Sequence, residues 1–475
     1  MKRSRLWSAK SLILLLVLAA FSCGRPGSHY SASVYRLPWP GADGAVSLQD
    51  VEVSTLSDPE HFSGSAAHIL VEPGDGGSTL AGAQPRGRLV RTSADVLVPA
   101  DYVTMQAVTA YAHTERLRSL DASVGADGVL GYPLSLGVEV HVMSYGQPSS
   151  NNAVYDSKLD SLLLVPYTES GLPLSLNPGV LAHEHFHFLF QRLVLSHVHD
   201  AASQTSCNGA APPQVAATNP ESGKVAATFP DSEDLVEKTA RGIPARTYNA
   251  YVLRGLNEGF ADFYGWVYSA DDSFLAKSLP EQEEMRRLDS PPGRLPSENL
   301  IRRLLVDYFH PEAILPDVVR AHNAYALGSI YARYLRHLVD DLVSSGSTLA
   351  EARLLVTRAV IAALPEIGAQ LDGTYESGFL SPNFALSRIL THLPPLTRPV
   401  CESLEGVHAA DSGYARPQAC DTFSPPEVPV LDSEPAFHGS AARSKKDPRL
   451  MKPSAPAVAK PTPTPTPASA SGGLR

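Results

Sequence analysis

The sequence predicts an α+β fold, in which strands gather in the first half of the chain and helices follow them. Two short runs, 134–142 and 159–167, read as strands. The run 178–197 reads as a long apolar helix, and helical patterns dominate from residue 248 to about residue 393. Strands followed by a series of helices are typical of α+β proteins.

Two helices of the first half are assigned from their periodicity and their ends. The run 99–120 is predicted to be helical because its apolar residues recur on one face. The run 178–197 follows Asn177, which is a suitable N-cap, and has Pro178 in its first turn.

One short motif indicates a particular chemistry. The segment His183-Glu184-His185-Phe186-His187 contains His-Glu-x-x-His within an apolar run. On a helix, His183 and His187 are four residues apart and lie on one face, so both imidazoles can bind one metal ion. Glu184 lies beside them and can reach a water molecule on that metal. The alternative is a helix that carries two solvated histidines.

A second motif could complete such a site. Two histidines leave zinc under-coordinated, whereas a catalytic zinc has three protein ligands and one water. The segment Asn257-Glu258-Gly259-Phe260-Ala261-Asp262 offers Glu258 as the third ligand. Asp262 lies four residues on, on the same helical face, and could accept the spare ring N–H of a ligand histidine. A solvated charged face is the alternative, but the neighbouring aromatic residues make this segment strongly apolar.

Together, His-Glu-x-x-His and Asn-Glu-x-x-x-Asp resemble the gluzincin metallopeptidases, the group of thermolysin and fungalysin. The resemblance implies a zincin-like fold with two lobes, in which a mixed sheet and the zinc helix face a mainly helical lobe across an active-site cleft. It implies zinc bound by His183, His187 and Glu258, with Asp262 behind a ligand histidine. It also implies hydrolysis of peptide bonds in proteins or peptides by metal-activated water, with Glu184 as general base.

A third match lies upstream, in Asn151-Asn152-Ala153-Val154-Tyr155-Asp156. Thermolysin-like enzymes carry a similar stretch on the strand that edges the cleft. This implies that the Asn152 side chain and the Ala153 backbone bind the substrate main chain. An ordinary turn at the two asparagines is the alternative. The resemblance is one of motifs and departs from thermolysin in the much longer separation of the two zinc motifs, so no close subfamily is assigned.

A peptidase also needs a donor that stabilises the oxyanion of the reaction. Several gluzincin branches place Tyr-x-x-Gly or His-x-x-Gly on a helix that faces the metal, and Tyr325-Ala326-Leu327-Gly328 is similar. The resemblance implies Tyr325 as this donor, with His322, Tyr331 and Tyr334 as alternatives. Tyrosines of an amphipathic helix usually belong to the core, which is the other interpretation of Tyr325.

The N-terminus is predicted to be a targeting segment. A basic start leads into the apolar run 12–20, which is too short to span a bilayer as a stable helix. The small residues before Cys23 resemble a bacterial lipobox, which implies cleavage after Ser22 and lipidation of Cys23. We then expect a lipid-anchored protein of the bacterial cell envelope. In enterobacterial lipoproteins a glycine after the cysteine, as Gly24 is here, does not retain the protein at the inner membrane, which favours the outer membrane and leaves the inner one as an alternative. Plain secretion is the alternative.

Composition divides the remainder of the chain. Cys401 and Cys420 are close in sequence, and they are the expected disulfide because an export signal permits such bonds. Low-complexity composition indicates a surface loop at 201–245 and disorder at 424–475. The predicted segments are a signal peptide at 1–22, a β-rich or partly disordered region at 23–94, a lobe of sheet and zinc helix at 95–200, an inserted loop at 201–245, a helical lobe with the third ligand at 246–395, a loop with the disulfide at 396–423 and a disordered Pro-rich tail at 424–475.

Composition also limits the partners. With 43% apolar residues and a net charge of −10, the chain is an ordinary, mildly acidic globular protein without a basic patch. We therefore expect no nucleic acid partner, but a protein or peptide substrate, a membrane contact through the lipid anchor, and a monomer. A second class of function stays open, a zinc-stabilised binding or scaffold lipoprotein without turnover. Loss of Glu184 would be its signature, and Glu184 is present.

Overall fold

The computed structural model of the protein describes residues 32–41, 44–74, 81–141, 143–144, 147–198, 244–293, 295–299, 301–302, 305, 317–393, 401 and 420. Several sequence-based predictions lie outside these residues. They are the signal peptide 1–22, the lipidation site Cys23, the inserted loop as far as residue 243 and the tail 424–475.

The predicted α+β class is confirmed, with the strands in the first half of the chain and most helices in the second. The strands are β1 (Ser33–Pro40), β2 (Val46–Val53), β3 (Leu56–Asp58), β4 (Ser63–Gly64), β5 (Ala67–Gly74), β6 (Ala81–Ala83), β7 (Leu89–Arg91), β8 (Leu97–Pro99), β9 (Leu134–Val138), β10 (Met143–Ser144), β11 (Gln147–Pro148), β12 (Ala153–Asp156) and β13 (Ser161–Leu164). The α-helices are α1 (Tyr102–Val124), α2 (Pro178–Leu193), α3 (Ala245–Ser269), α4 (Glu283–Arg286), α5 (Asp317–Ser344), α6 (Leu349–Thr374) and α7 (Phe384–Thr391).

The larger sheet is mixed and has the order β12-β13-β9-β5-β4-β3 among the described strands, with β6 paired to β5. Strand β9 pairs in parallel with both β5 and β13, whereas β12 is antiparallel to β13. Strand β12 is therefore an edge strand, and it packs against α2. A second sheet has the order β2-β1-β8-β7.

Two element ends differ from the predicted ones for local reasons. Helix α1 starts at Tyr102, because the Asp101 side chain caps it by accepting a hydrogen bond of 2.8 Å from the backbone N–H of Thr104. Strand β9 ends at Val138, since Glu139 has a φ of +56° and leaves the extended conformation.

Helix α2 begins as predicted and ends earlier than predicted. The Asn177 side chain accepts hydrogen bonds from the backbone N–H groups of Gly179 and Val180, at 3.1 and 3.3 Å. The α-helix ends at Leu193, and the last predicted turn is a separate 3₁₀ helix, Leu195–His197. The cap fixes where the helix starts and so which residues face β12.

Helix α3 approaches both α2 and α5 closely at glycines. A Cβ atom on Gly265 of α3 would lie 2.7 Å from the carbonyl oxygen of Gly179 in α2. A Cβ atom on Gly259 of α3 would lie 2.3 Å from the carbonyl oxygen of Gly328 in α5. Real side chains at these positions would push the helices apart. Because Gly259 follows Glu258, this contact sets the distance from the second motif to α5.

Helix α6 is the one described helix that is long and apolar enough to cross a membrane by length and composition. Of its most apolar window, 56% is buried inside the protein, as is typical of a core helix. Beyond α7, a disulfide joins Cys401 to Cys420, with their Cα atoms 5.7 Å apart.

Candidate metal centre

Three side chains from two helices converge on one point. His183 and His187 belong to α2 and Glu258 belongs to α3, and each is at most 4% exposed. One donor atom of each lies within 4.8 Å of the other two. The two Nε2 atoms are 3.1 Å apart, and Nε2 of His183 is 3.4 Å from Oε2 of Glu258. On a tetrahedral zinc with bonds of about 2.0–2.1 Å, ligand atoms lie about 3.3 Å apart, which is close to these two separations.

The second ring nitrogen of each histidine faces an oxygen acceptor. Nδ1 of His187 lies 2.8 Å from Oδ1 of Asn257, and Nδ1 of His183 lies 2.9 Å from Oδ1 of Asp262. With an oxygen beside each Nδ1 atom, both Nε2 atoms are left for a metal ion. Asp262 thus lies next to a histidine of the first motif. The contact of Asn257 was not predicted, although this residue opens the second motif.

Arg286 was missed by sequence reasoning. It is the last residue of the four-residue helix α4, and its guanidinium contacts both carboxyl oxygens of Asp262, with Nε 3.0 Å from Oδ2. Its Nη2 atom lies 3.5 Å from Oε2 of Glu258, and its Cζ lies 4.5 Å from the centre of the Tyr325 ring. One signal could have indicated it: two carboxylates four residues apart on an apolar, buried helix require a buried cation.

The charges of two of the three candidate ligands suit metal binding at neutral pH. Burial would raise the pKa of Glu258, but the two histidines and Arg286 outweigh it and lower the pKa to about 2. Burial lowers the pKa of His187 to about 4. Both are therefore in the form that binds a metal, the carboxylate and the neutral imidazole. Burial also acts to lower the pKa of His183, but Asp262 and Glu258 raise it to about 9, so a metal would compete with a proton there.

Glu184 lies beside the three candidate ligands without joining them. Its Oε1 is 3.9 Å from Nε2 of His183, and its Oε2 accepts a hydrogen bond of 2.9 Å from the backbone N–H of Tyr155 in β12. Burial raises its pKa to about 7, since the opposing effect of His183 is smaller and Glu258 adds to the rise. The edge strand thus holds a buried carboxylate next to the metal-binding atoms.

A cavity of about 130 Å³ brings the predicted residues together. Asn152, Ala153 and Tyr325 line it, in addition to Glu184 and the three candidate ligands. Its other lining residues are Val154, Leu174, Val180, Leu275, Leu279, Gln282 and Arg286. His322 belongs to α5, but its side chain lies outside the described part of the chain.

Two residues of the sequence motifs, Asn151 and His185, lie outside the donor set. Asn151 lies in a bend with a φ of +55°, and its Oδ1 accepts a hydrogen bond of 2.6 Å from the backbone N–H of Thr168. Asn152 instead lines the cavity. His185 of the first motif faces Asp121, with 2.9 Å between Nε2 and Oδ2, and it is not part of the donor set.

No protein-family model matches the chain, and no curated protein matches it at a significant level. The geometry itself shows a buried group, formed by His183, His187 and Glu258, that could hold a metal ion.

Proposed function

We propose that the protein is a zinc-dependent metallopeptidase of the gluzincin type, which hydrolyses peptide bonds of proteins or peptides. One observation carries the proposal. Glu184, a carboxylate outside the donor set, lies 3.9 Å from Nε2 of His183 and shares one cavity with all three candidate ligands. A binding or scaffold site needs the ligands alone, whereas hydrolysis needs a base beside them.

Zinc is the proposed metal because of the donor chemistry. Two imidazoles and one carboxylate are a known three-ligand set of catalytic zinc, which keeps its fourth position for water. When bound by His183, His187 and Glu258, zinc would lower the pKa of that water and polarise the substrate carbonyl. Asn257 and Asp262 would orient the two imidazoles through their Nδ1 atoms.

Glu184 is the proposed general base and then general acid. It would take a proton from the attacking water and deliver it to the leaving amine. Its two oxygens have different neighbours that suit this role. Oε2 is held by the N–H of Tyr155, while Oε1 is the oxygen nearer to His183. A fixed carboxylate loses little freedom when it receives the proton.

The edge strand β12 and Tyr325 are proposed to bind the substrate. Strand β12 pairs with β13 on one side, and its first residue, Ala153, lines the cavity together with Asn152. An extended peptide could therefore pair with the strand's backbone. The phenol of Tyr325 is the proposed donor to the oxyanion, and the guanidinium of Arg286 on its ring would hold its orientation.

We further propose a zincin-like arrangement of two lobes with the cleft between them, and a lipid anchor at Cys23 in the cell envelope, at the outer membrane rather than the inner one. Secretion is the alternative. The disulfide between Cys401 and Cys420 supports export, since disulfides form and persist in oxidising compartments. The proposed partners are a protein or peptide substrate and the membrane, and the proposed state is a monomer.

Elemental analysis and turnover test this function together. Protein purified without added metal is expected to contain about one zinc per chain, the number of sites formed by the three ligands. It is expected to cleave casein and to stop when the zinc is removed by a chelator. Zinc-loaded protein that cleaves neither casein nor varied peptides would support the scaffold instead. Protein without bound zinc would contradict both.

A further inference from the structure

Asp121 of α1 is a buried carboxylate that joins the two helices of the metal centre. It is 2% exposed. Nε2 of His185 in α2 lies 2.9 Å from its Oδ2, and the hydroxyl of Tyr264 in α3 donates to its Oδ1 at 2.7 Å. The hydroxyl of Tyr132, which precedes β9, donates to Oδ2 at 2.9 Å. One side chain thus contacts both ligand-bearing helices.

These contacts lie behind the candidate ligands. His185 is two residues from His183 and two from His187, and residues two apart point to nearly opposite sides of a helix. Tyr264 is two residues beyond Asp262 and belongs to the helix that supplies Glu258. The carboxylate therefore contacts α2 and α3 on sides that face away from the metal-binding atoms.

We propose that Asp121 is a positioning residue of the metal centre. By bonding His185 and Tyr264 at once, it fixes the rotation of α2 relative to α3. That rotation sets the separations of 3.1 and 3.4 Å between the donor atoms of the three ligands. The inference rests on the proposed metal site. It extends that proposal because it names the residue that fixes the positions of α2 and α3 relative to each other.

Replacing Asp121 by asparagine would disrupt these hydrogen bonds with little change in side-chain volume. A carboxylate offers two accepting oxygens to three neighbours, whereas a side-chain amide has one oxygen and an NH₂ group that only donates. The NH₂ group would face a hydroxyl or imidazole that needs an acceptor, and the buried donor would be left unsatisfied. The helices would then shift until that donor found another partner.

The test compares Asp121→Asn with Glu115→Gln, a matched change on the same helix. Glu115 also uses its carboxylate as a clamp, but its hydrogen bonds run to Ser54 and Thr55 and not to α2 or α3. Zinc affinity is measured on full-length protein by competition with chelators, and thermal unfolding is measured in parallel. Both variants are expected to unfold at lower temperature. Only Asp121→Asn is expected to lose zinc affinity, by about 10-fold or more.

A second pair keeps the proposal testable where Asp121→Asn does not fold. Tyr264→Phe removes one bond to Asp121, and Tyr111→Phe removes the hydroxyl of a buried tyrosine on α1 that bonds Thr55. Tyr264→Phe is expected to weaken zinc binding by at least about 3-fold, and Tyr111→Phe not at all. Wild-type zinc affinity in Asp121→Asn, or in Tyr264→Phe where Asp121→Asn does not fold, would overturn the inference. A wild type that binds no zinc would overturn the metal site itself.

Discussion

The guanidinium of Arg286 donates hydrogen bonds to both carboxyl oxygens of Asp262, from Nε to Oδ2 at 3.0 Å and from Nη2 to Oδ1. Both side chains are buried, and Asp262 in turn lies 2.9 Å from the Nδ1 atom of His183. The arginine therefore neutralises and orients the carboxylate that orients a candidate ligand. It also covers the Tyr325 ring at 4.5 Å, so a single side chain supports two parts of the site.

This relationship predicts that Arg286→Lys weakens zinc binding although it keeps the positive charge. An ammonium group cannot reproduce the two parallel contacts with Asp262 or the stacking on Tyr325. Zinc affinity is expected to fall by about 10- to 100-fold, the usual effect of losing a partner behind a ligand. The control is Arg287→Lys, at the next residue, where an exposed arginine pairs with Asp289. Equal affinity in the two variants would contradict the role of Arg286.

The parts of the site that could be predicted from the sequence are local ones. Helical spacing alone places His183 beside His187, and the same spacing places Asp262 on the face of Glu258. Asn177 could be predicted as a cap because its side chain acts within three residues. That the helices with the two motifs lie next to each other could, by contrast, be expected only because the two motifs occur together in the gluzincins.

The remaining parts depend on tertiary packing that leaves no periodic signal. Arg286 belongs to a helix of four residues, too short to show a pattern, and it meets Asp262 across 24 residues of chain. Asp121 meets His185 across 64 residues, and within α1 it is one charged residue among several. The end of β9 was missed because the left-handed conformation of Glu139 is not favoured by its residue type.

His113 predicts an acid-sensitive part of the fold. Its buried ring stacks on Trp39 at 4.1 Å and lies 2.7 Å from the hydroxyl of Tyr268. Burial lowers its pKa from 6.5 to about 3, with a smaller effect of Arg116. His113 of the unfolded chain therefore binds a proton below about pH 6.5, whereas His113 of the folded chain binds one only below about pH 3. The stability from this group is present above pH 6.5 and is lost as the pH falls.

The predicted size of this loss can be measured with His113→Gln. At 1.36 kcal/mol for each pH unit, the wild type should lose about 2 kcal/mol of unfolding free energy between pH 6.5 and pH 5 through this group. Urea unfolding at pH 7 and at pH 5 gives the loss for each protein. The variant should be less stable at pH 7 but should lose about 2 kcal/mol less on acidification. The same loss in both proteins would show that His113 is not the group responsible.

Cys23→Ser tests the membrane proposal. The serine of the variant has no thiol that can be lipidated, so the variant is expected in the soluble fraction, whereas the wild type is expected to sediment with membranes. Stable anchoring needs more than one acyl chain, and detergent should therefore be required to release the wild type. The mature N-terminus, read by mass spectrometry, is expected at a lipid-modified Cys23. A soluble wild type that starts at another residue would favour plain secretion.

The central claim is hydrolysis with Glu184 as the base, and it is tested most directly by the turnover of zinc-loaded Glu184→Gln beside zinc-loaded wild type. The variant keeps the size of the side chain and should keep its zinc, because Glu184 is not among the three ligands. The proposed mechanism predicts at least about a 100-fold lower rate of casein cleavage in Glu184→Gln, the usual share of a positioned general base. The exposed Glu60→Gln serves as the control and should keep the wild-type rate. Equal rates in wild type and Glu184→Gln, at equal zinc content, would contradict the account.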